Sequence, residues 1–179
     1  MPFSFMPCSI PGLIEIHPKV FSDSRGYFLE TWSERDYAEA GIGLKFVQDN
    51  ESRSVRGVLR GLHFQRKHPQ GKLVRVIEGE VFDVAVDIRP NSPTGGQWHA
   101  VILSGEKKNQ FYIPPGFAHG FLVLSETAAF AYKCTDFYYP EDEGGFIWND
   151  PAINIDWPDL GMDYLLSDKD KKLPGYIPW

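Results

Sequence analysis

The chain has 179 residues, a net charge of −6, 14 prolines, 17 glycines and 15% aromatic residues. That length suits a single domain able to bury about 70% of its unfolded surface. The negative charge argues against nucleic-acid or membrane-surface binding, although it leaves room for an anionic small molecule at a local cluster of cations.

No apolar run approaches the roughly 20 residues of a membrane span, and no basic-then-apolar leader opens the chain. Cys8 and Cys134 stand outside any CxxC or Cys/His array. They read as free thiols of a cytoplasmic protein, with a disulfide between them left open. In chain order, Ser33 as N-cap, residues 34–40 and the stop at Gly41 predict a short helix. A long strand-like run begins where Arg60, His63 and Lys72 stand. In 81–88, Phe82, Val84, Val86 and Ile88 share one face, opposite Val81, Asp83, Ala85 and Asp87. Residues 98–103, 121–124 and 128–135 predict further strands, with Tyr132 on the face of Phe130. Turn signals fall at 78–80, 91–96 and 114–116. A second short helix is expected from Ser167. These elements predict one all-β domain over 1–179, a barrel or double-sheet jelly roll with a few short helices.

Chemistry concentrates in four places. Arg60-Gly61-Leu62-His63-Phe64-Gln65 and Gln70-Gly71-Lys72-Leu73-Val74 set an Arg, a His and a Lys at the start of the strand run. Pro114-Pro115-Gly116-Phe117-Ala118-His119-Gly120 adds a His read as lying at a turn, and Phe130-Ala131-Tyr132-Lys133 adds a phenol. A base, two cations and a phenol on β elements point to proton transfer on an anionic substrate. Each residue alone has a blander reading. A strand histidine is usually structural, a strand-end lysine solvated, a tyrosine a core aromatic, and Asp170 sits in an Asp-Lys-Asp-Lys-Lys charge run typical of a solvated helix. His17, His68 and His99 have no chemical context and read as structural or exposed.

These motifs, with Val47-Gln48-Asp49-Asn50, Gly79 to Arg89, Phe146-Ile147-Trp148-Asn149-Asp150-Pro151, and Ser22-Asp23-Ser24-Arg25-Gly26 ahead of Phe28-Leu29-Glu30, resemble the dTDP-4-dehydrorhamnose 3,5-epimerase family. The resemblance runs from about Ile14 to about Asp170. It implies a cupin-type jelly roll, a homodimer, a dTDP-sugar substrate and a metal-free reaction; with the net charge, the expectation is no nucleic-acid or membrane partner and no cofactor. Epimerisation beside a ketone needs a base with a pKa near working pH, a cation or donor at the developing enolate oxygen, and an acid across the ring. His63 suits the base, since histidine ordinarily titrates near 6.5. Lys72, on the strand face of Val74 and Val76, suits the oxyanion partner. Tyr132, a phenol with an ordinary pKa of about 10, suits the acid. By resemblance, Asp170 orients His63, reached only by the C-terminal segment folding back over the site. Arg25, Arg60 and Lys169 match diphosphate positions, Arg being suited to bidentate contact. Glu30, Gln48, Asn50 and Glu143 match nucleoside positions, Tyr138 a stacking surface for thymine, and His119 a site near sugar or phosphate. The N-terminal segment, with Arg25 and Glu30, is expected to serve the partner's site.

One conflict stands in this reading. Strict alternation puts Arg60 and His63 on opposite strand faces, and only a bulge or bend at Gly61 reconciles them. Three other readings compete. A metal-dependent cupin is suggested by Pro114-x-Gly116-x-x-His119, but Gln65 stands where a second metal-binding His is wanted. A non-catalytic sugar-nucleotide binder explains the cations but not the base and acid. A 3-only or 5-only epimerase, or a 3,4-ketoisomerase of another deoxysugar, would carry the same base, lysine and tyrosine.

Overall fold

The computed structural model describes residues 2–178. One antiparallel sheet orders its strands β1 (Phe3–Pro7), β2 (Ile14–Pro18), β10 (Gln110–Ile113), β7 (Lys72–Glu78), β12 (Thr127–Cys134) and β5 (Gln48–Val55). The other orders them β13 (Glu143–Gly145), β6 (Leu59–Gln65), β11 (Phe117–Val123), β8 (Glu80–Asp87) and β9 (Trp98–Ser104). A hairpin of β3 (Phe21–Asp23) and β4 (Gly26–Phe28) stands apart. Helix α1 spans Glu34–Glu39, where Ser33 Oγ accepts from the Asp36 N–H as an N-cap should. The fold is the expected all-β jelly-roll barrel. No helix among the described residues is long and apolar enough to cross a membrane.

Period-two alternation turns one row of each strand inward, and the two sheets close on those rows. Val74, Val76, Phe111 and Phe130 of the first sheet meet Val81, Ala85, Phe121 and Val123 of the second in one buried cluster. Each such side chain contributes about 1.5–3 kcal/mol when taken from water. Strand β8 is buried on its other face as well. Phe82, Val84 and Val86 pack under the C-terminal segment, against Phe146, Ile153, Trp157 and Tyr176. A third cluster lies outside the six-stranded sheet, where Tyr37 of α1 covers Ile16, Leu73 and Tyr112.

The inward rows change character at one end of the barrel. Along β7 the row runs Val76, Val74, Lys72, and along β12 Ala128, Phe130, Tyr132, with Tyr132 paired to Val74 and Cys134 to Lys72. On the facing sheet, His119 of β11 pairs with His63 of β6. The sequence reading began this strand at 121 and left His119 on a turn. The strand in fact starts at Phe117, because β11 is central and pairs with both β6 and β8. The helix expected from Ser167 is only a 3-10 turn at Asp170–Lys172, ended by the Leu173-Pro174 pair, since the residue before a proline avoids helical backbone.

Candidate active site

The polar ends of the inward rows enclose a cavity of about 540 Å³ lined by Arg60, His63, Lys72, His119, Tyr132 and Asp170, with Lys169 at its edge. Val58, Leu59, Phe121, Phe130, Leu165 and Leu166 supply its apolar wall. A second cavity of about 230 Å³ shares His63, Lys72 and Tyr132 with the first and adds Gln48, Asn50, Tyr138 and Glu143. The four residues matched to catalysis therefore share one chamber, and of those matched to the nucleoside Gln48, Asn50, Tyr138 and Glu143 share its annex.

The conflict over Arg60 and His63 resolves in the backbone. His119 pairs with His63, but Phe121 pairs with Arg60, so β6 carries one more residue than β11 between those points. This bulge turns both side chains into the same cavity. Gly61 makes it feasible: its φ is +111°, and a Cβ there would lie 2.6 Å from the His119 carbonyl oxygen and 2.7 Å from Gly120 Cα.

His63 Nε2 lies 2.6 Å from Asp170 Oδ1. An ionised carboxylate only accepts, so Nε2 carries the proton and donates it, leaving the Nδ1 lone pair as the basic atom. Nδ1 makes no hydrogen bond among the described residues. Asp170 itself is 3% exposed, and the Ser167 Oγ accepts from its N–H at 3.0 Å. Burial pushes its carboxyl up, but the hydrogen bond and charge of His63, with the Ser167 contact, outweigh burial and hold it below the usual range. The charge run read as a solvated helix instead buries its middle aspartate.

The Lys72 ammonium has no hydrogen bond or ion pair among the described residues and lines both cavities. Burial lowers its pKa against the opposing pull of Cys134, Asp83 and Glu143. Burial raises the Tyr132 phenol, keeping it protonated through the neutral range. Its hydroxyl also makes no hydrogen bond among the described residues, while its ring packs 5.9 Å from that of Phe130. The two groups that could move or receive a proton thus face the chamber without competing partners.

Around this centre, Arg60 is held by Ser54 Oγ, 3.1 Å from Nη2, and forms no ion pair among the described residues. Lys169 Nζ contacts Glu143 Oε2 at 2.5 Å, and the Tyr138 hydroxyl donates to the same oxygen at 2.5 Å. That hydrogen bond to a carboxylate lifts the Tyr138 phenol to about 12. Gln48 Oε1 accepts from the Tyr138 N–H at 3.0 Å, and its Nε2 donates to Asn50 Oδ1 at 3.1 Å, tying the annex together.

Arg25 and Glu30 lie outside both cavities. Arg25 is on the exposed hairpin, paired with Asp23 at 2.6 Å, and Glu30 is exposed. Gln65, at the place a cupin metal ligand would take, has its amide committed to backbone: its Nε2 donates to the His68 and Phe137 carbonyls and its Oε1 accepts from the Tyr139 N–H. Among the described residues no group of three or more His, Cys, Asp or Glu is arranged to hold a metal. His68 pairs with Asp142, and His99 with Ser9. Sequence reasoning missed Asp83, whose two oxygens lie 3.0 and 2.9 Å from Nε2 of the cavity-lining His119. The available signal was a carboxylate in the same alternating row as Val81 and Ala85.

Residues 7–176 match the family model described as dTDP-4-dehydrorhamnose 3,5-epimerase. The chain belongs to this family. A relative of that name from Methanothermobacter thermautotrophicus is 57% identical over 170 residues, covering 94% of this chain and 92% of its own. The crystal structure of dTDP-6-deoxy-D-glucose-3,5-epimerase from Legionella pneumophila, in complex with dTDP-4-keto-L-rhamnose, superposes with a TM-score of 0.92 at 53% identity, covering 98% of this chain and 99% of that one. A 3'-monoepimerase from Streptomyces bikiniensis in complex with dTDP-quinovose has a TM-score of 0.88 at 34% identity, covering 95% of this chain and 86% of that one.

Proposed function

We propose that this protein epimerises carbons 3 and 5 of dTDP-4-dehydro-6-deoxy-D-glucose, giving dTDP-4-dehydro-L-rhamnose. One observation carries the reading: a base fixed by a carboxylate and a protonated phenol enter the same cavity from opposite sheets, His63 from β6 and Tyr132 from β12. A ring held between them presents one face to each.

His63 Nδ1 removes the proton α to the ketone, and Asp170 stabilises the imidazolium that forms. The electron pair moves to the C4 oxygen, where the Lys72 ammonium meets the developing negative charge. Tyr132 then delivers a proton to the opposite face, inverting the carbon. Once His63 has released its proton to solvent and Tyr132 has taken one up, the same geometry acts at the second carbon. Arg60 and Lys169 receive the diphosphate, with Lys169 leaving Glu143 to do so. Gln48, Asn50, Tyr138 and Glu143 hold the nucleoside, and His119 faces the sugar.

The β3–β4 hairpin leaves every residue exposed, including Phe21, Tyr27 and Phe28 at 49%, 57% and 66%. An apolar, cation-bearing arm of this kind suits a homodimer in which Arg25 and Glu30 complete the partner's nucleotide site. The protein acts in the cytoplasm, a setting that the free thiols of Cys8 and Cys134 suit. Double rather than single epimerisation is favoured by 57% identity to a 3,5-epimerase against 34% to a 3'-monoepimerase.

Product analysis by NMR with dTDP-4-dehydro-6-deoxy-D-glucose tests the reading. The L-rhamno product is expected. Inversion at one carbon would mean a monoepimerase, and binding without any exchange would mean a non-catalytic module.

A further inference from the structure

The site contains a second histidine–carboxylate pair, and its roles are not those of the first. His119 and Asp83 are almost wholly buried, with side chains 8% and 0% exposed. Both Asp83 oxygens face His119 Nε2, and among the described residues these are its only side-chain hydrogen bonds. Asp83 sits behind His119, which lines the cavity, because its row on β8, between Val81 and Ala85, points into the barrel. A carboxylate so deeply buried demands positive charge or strong donors nearby. His119 supplies one donor. The Lys72 ammonium, without any direct partner, lies within the field of both.

We propose that Asp83 is a positioning residue for this reaction: it fixes His119 with Nε2–H donated to the carboxylate and Nδ1 free as an acceptor for a sugar hydroxyl, and it supplies the buried negative charge that balances the Lys72 ammonium. The inference rests on the epimerase reading for the identity of the sugar. Its two structural consequences stand without it.

The assignment follows from the groups around each atom. An ionised carboxylate cannot donate, so Nε2 holds the proton. Burial drives His119 toward its neutral form, and Lys72 and His63 push the same way against Asp83. A neutral ring protonated on Nε2 leaves Nδ1 with a lone pair. Nδ1 has no hydrogen-bond partner among the described residues, and the ring lines the cavity.

The titratable and charged groups around Lys72 are Cys134 and Tyr132 on β12, Asp83 on β8, His119 on β11, Arg60 and His63 on β6, Glu143 on β13, and Lys169 and Asp170 of the C-terminal segment. Burial raises the Cys134 thiol and the Tyr132 phenol, so both stay neutral. Glu143 already holds Lys169 and Tyr138, and Asp170 is engaged by His63. Asp83 is the carboxylate left to balance Lys72.

Two NMR measurements test this, and neither requires turnover. In protein carrying ε-13C lysine, with Lys72 assigned by the signal lost in Lys72→Met, the Lys72 midpoint should fall by about one pH unit in Asp83→Asn. That is the low end of the effect of an opposite charge in a buried site. An unchanged midpoint in a folded variant overturns the charge role. In wild-type protein at neutral pH, the 15N shifts of His119 should report a neutral ring with Nδ1 unprotonated. An imidazolium or an Nδ1–H tautomer overturns the positioning role, even if Asp83→Asn does not fold. The Michaelis constant and turnover of Asp83→Asn then divide the roles: a weakened Lys72 lowers kcat, and a re-aimed His119 raises KM. A wild-type protein inactive on the dTDP-sugar would refute the proposed function and leave both NMR results to decide on Asp83.

Discussion

Tyr132→Phe separates abstraction from delivery of the proton. The substitution keeps the ring and its packing 5.9 Å from Phe130, and deletes one hydroxyl that has no hydrogen-bond partner among the described residues. Because no donor or acceptor is orphaned, the cost in stability should stay within about 0.5 kcal/mol, or roughly 1–2 °C in Tm for a domain of this size. The chemical cost is much larger. Losing a positioned acid removes about 10²–10⁴ in rate, and a water admitted to the vacated space returns part of it, so the yield of L-rhamno product should fall at least about tenfold. His63 remains, so the α proton should still leave and return. In D2O, deuterium should therefore enter the 4-keto sugar with configuration retained, read by NMR on recovered substrate. Inversion at near wild-type rate would show that another group is the acid, with Tyr138 and His119 next to examine. Loss of exchange together with inversion would show that Tyr132 binds or orients the substrate.

Three further outcomes are expected. Lys72→Met should lose roughly 3–4 kcal/mol of transition-state stabilisation in kcat/KM, the scale of a missing oxyanion donor. Chelator treatment should leave the wild-type rate unchanged. Gly61→Ala should lower Tm by several degrees and reduce kcat/KM, because a Cβ would meet His119 O at 2.6 Å in a backbone at φ +111°; a wild-type kcat/KM would refute the role given to the bulge. Asp170→Asn should lower activity less than loss of His63, and lower stability by roughly 1–3 kcal/mol. The folded carboxyl is held below its ordinary pKa. Its contribution is therefore full above the unfolded value of about 4 and is lost as pH falls through the folded value. Denaturant midpoints of variant and wild type should converge at acid pH, and a constant gap would contradict the His63 contact.

The sequence made the barrel and most of the chamber legible because both rest on period-two rows. Lys72 beside Val74 and Val76, and Tyr132 beside Phe130, are fixed inward by alternation once the apolar row is known to be core. Alternation fails where the backbone departs from it. The extra residue at Gly61 reverses the face of His63 relative to Arg60, and only pairing with β11 reveals the shift. Local signals misplaced His119, because Pro114-Pro115-Gly116 marks a turn but cannot say how soon the next strand starts. Asp170 is brought to His63 across 107 residues of sequence, a contact no local pattern encodes. Strand β5 escaped notice because its residues are polar, as an edge strand's can be. Asp83 stood in plain view within an apolar row, but its partner lies on another strand.

The central claim is that one base serves both carbons. Deuterium incorporation at C3 and C5 of the dTDP-4-keto sugar, followed by NMR in D2O for wild type and for His63→Asn, tests it most directly. Wild type should label both positions, and the variant should lose at least about 10² in exchange at each, with its fold intact by circular dichroism and Tm. Exchange above about a tenth of wild type at either carbon in His63→Asn would contradict the assignment and require a second base.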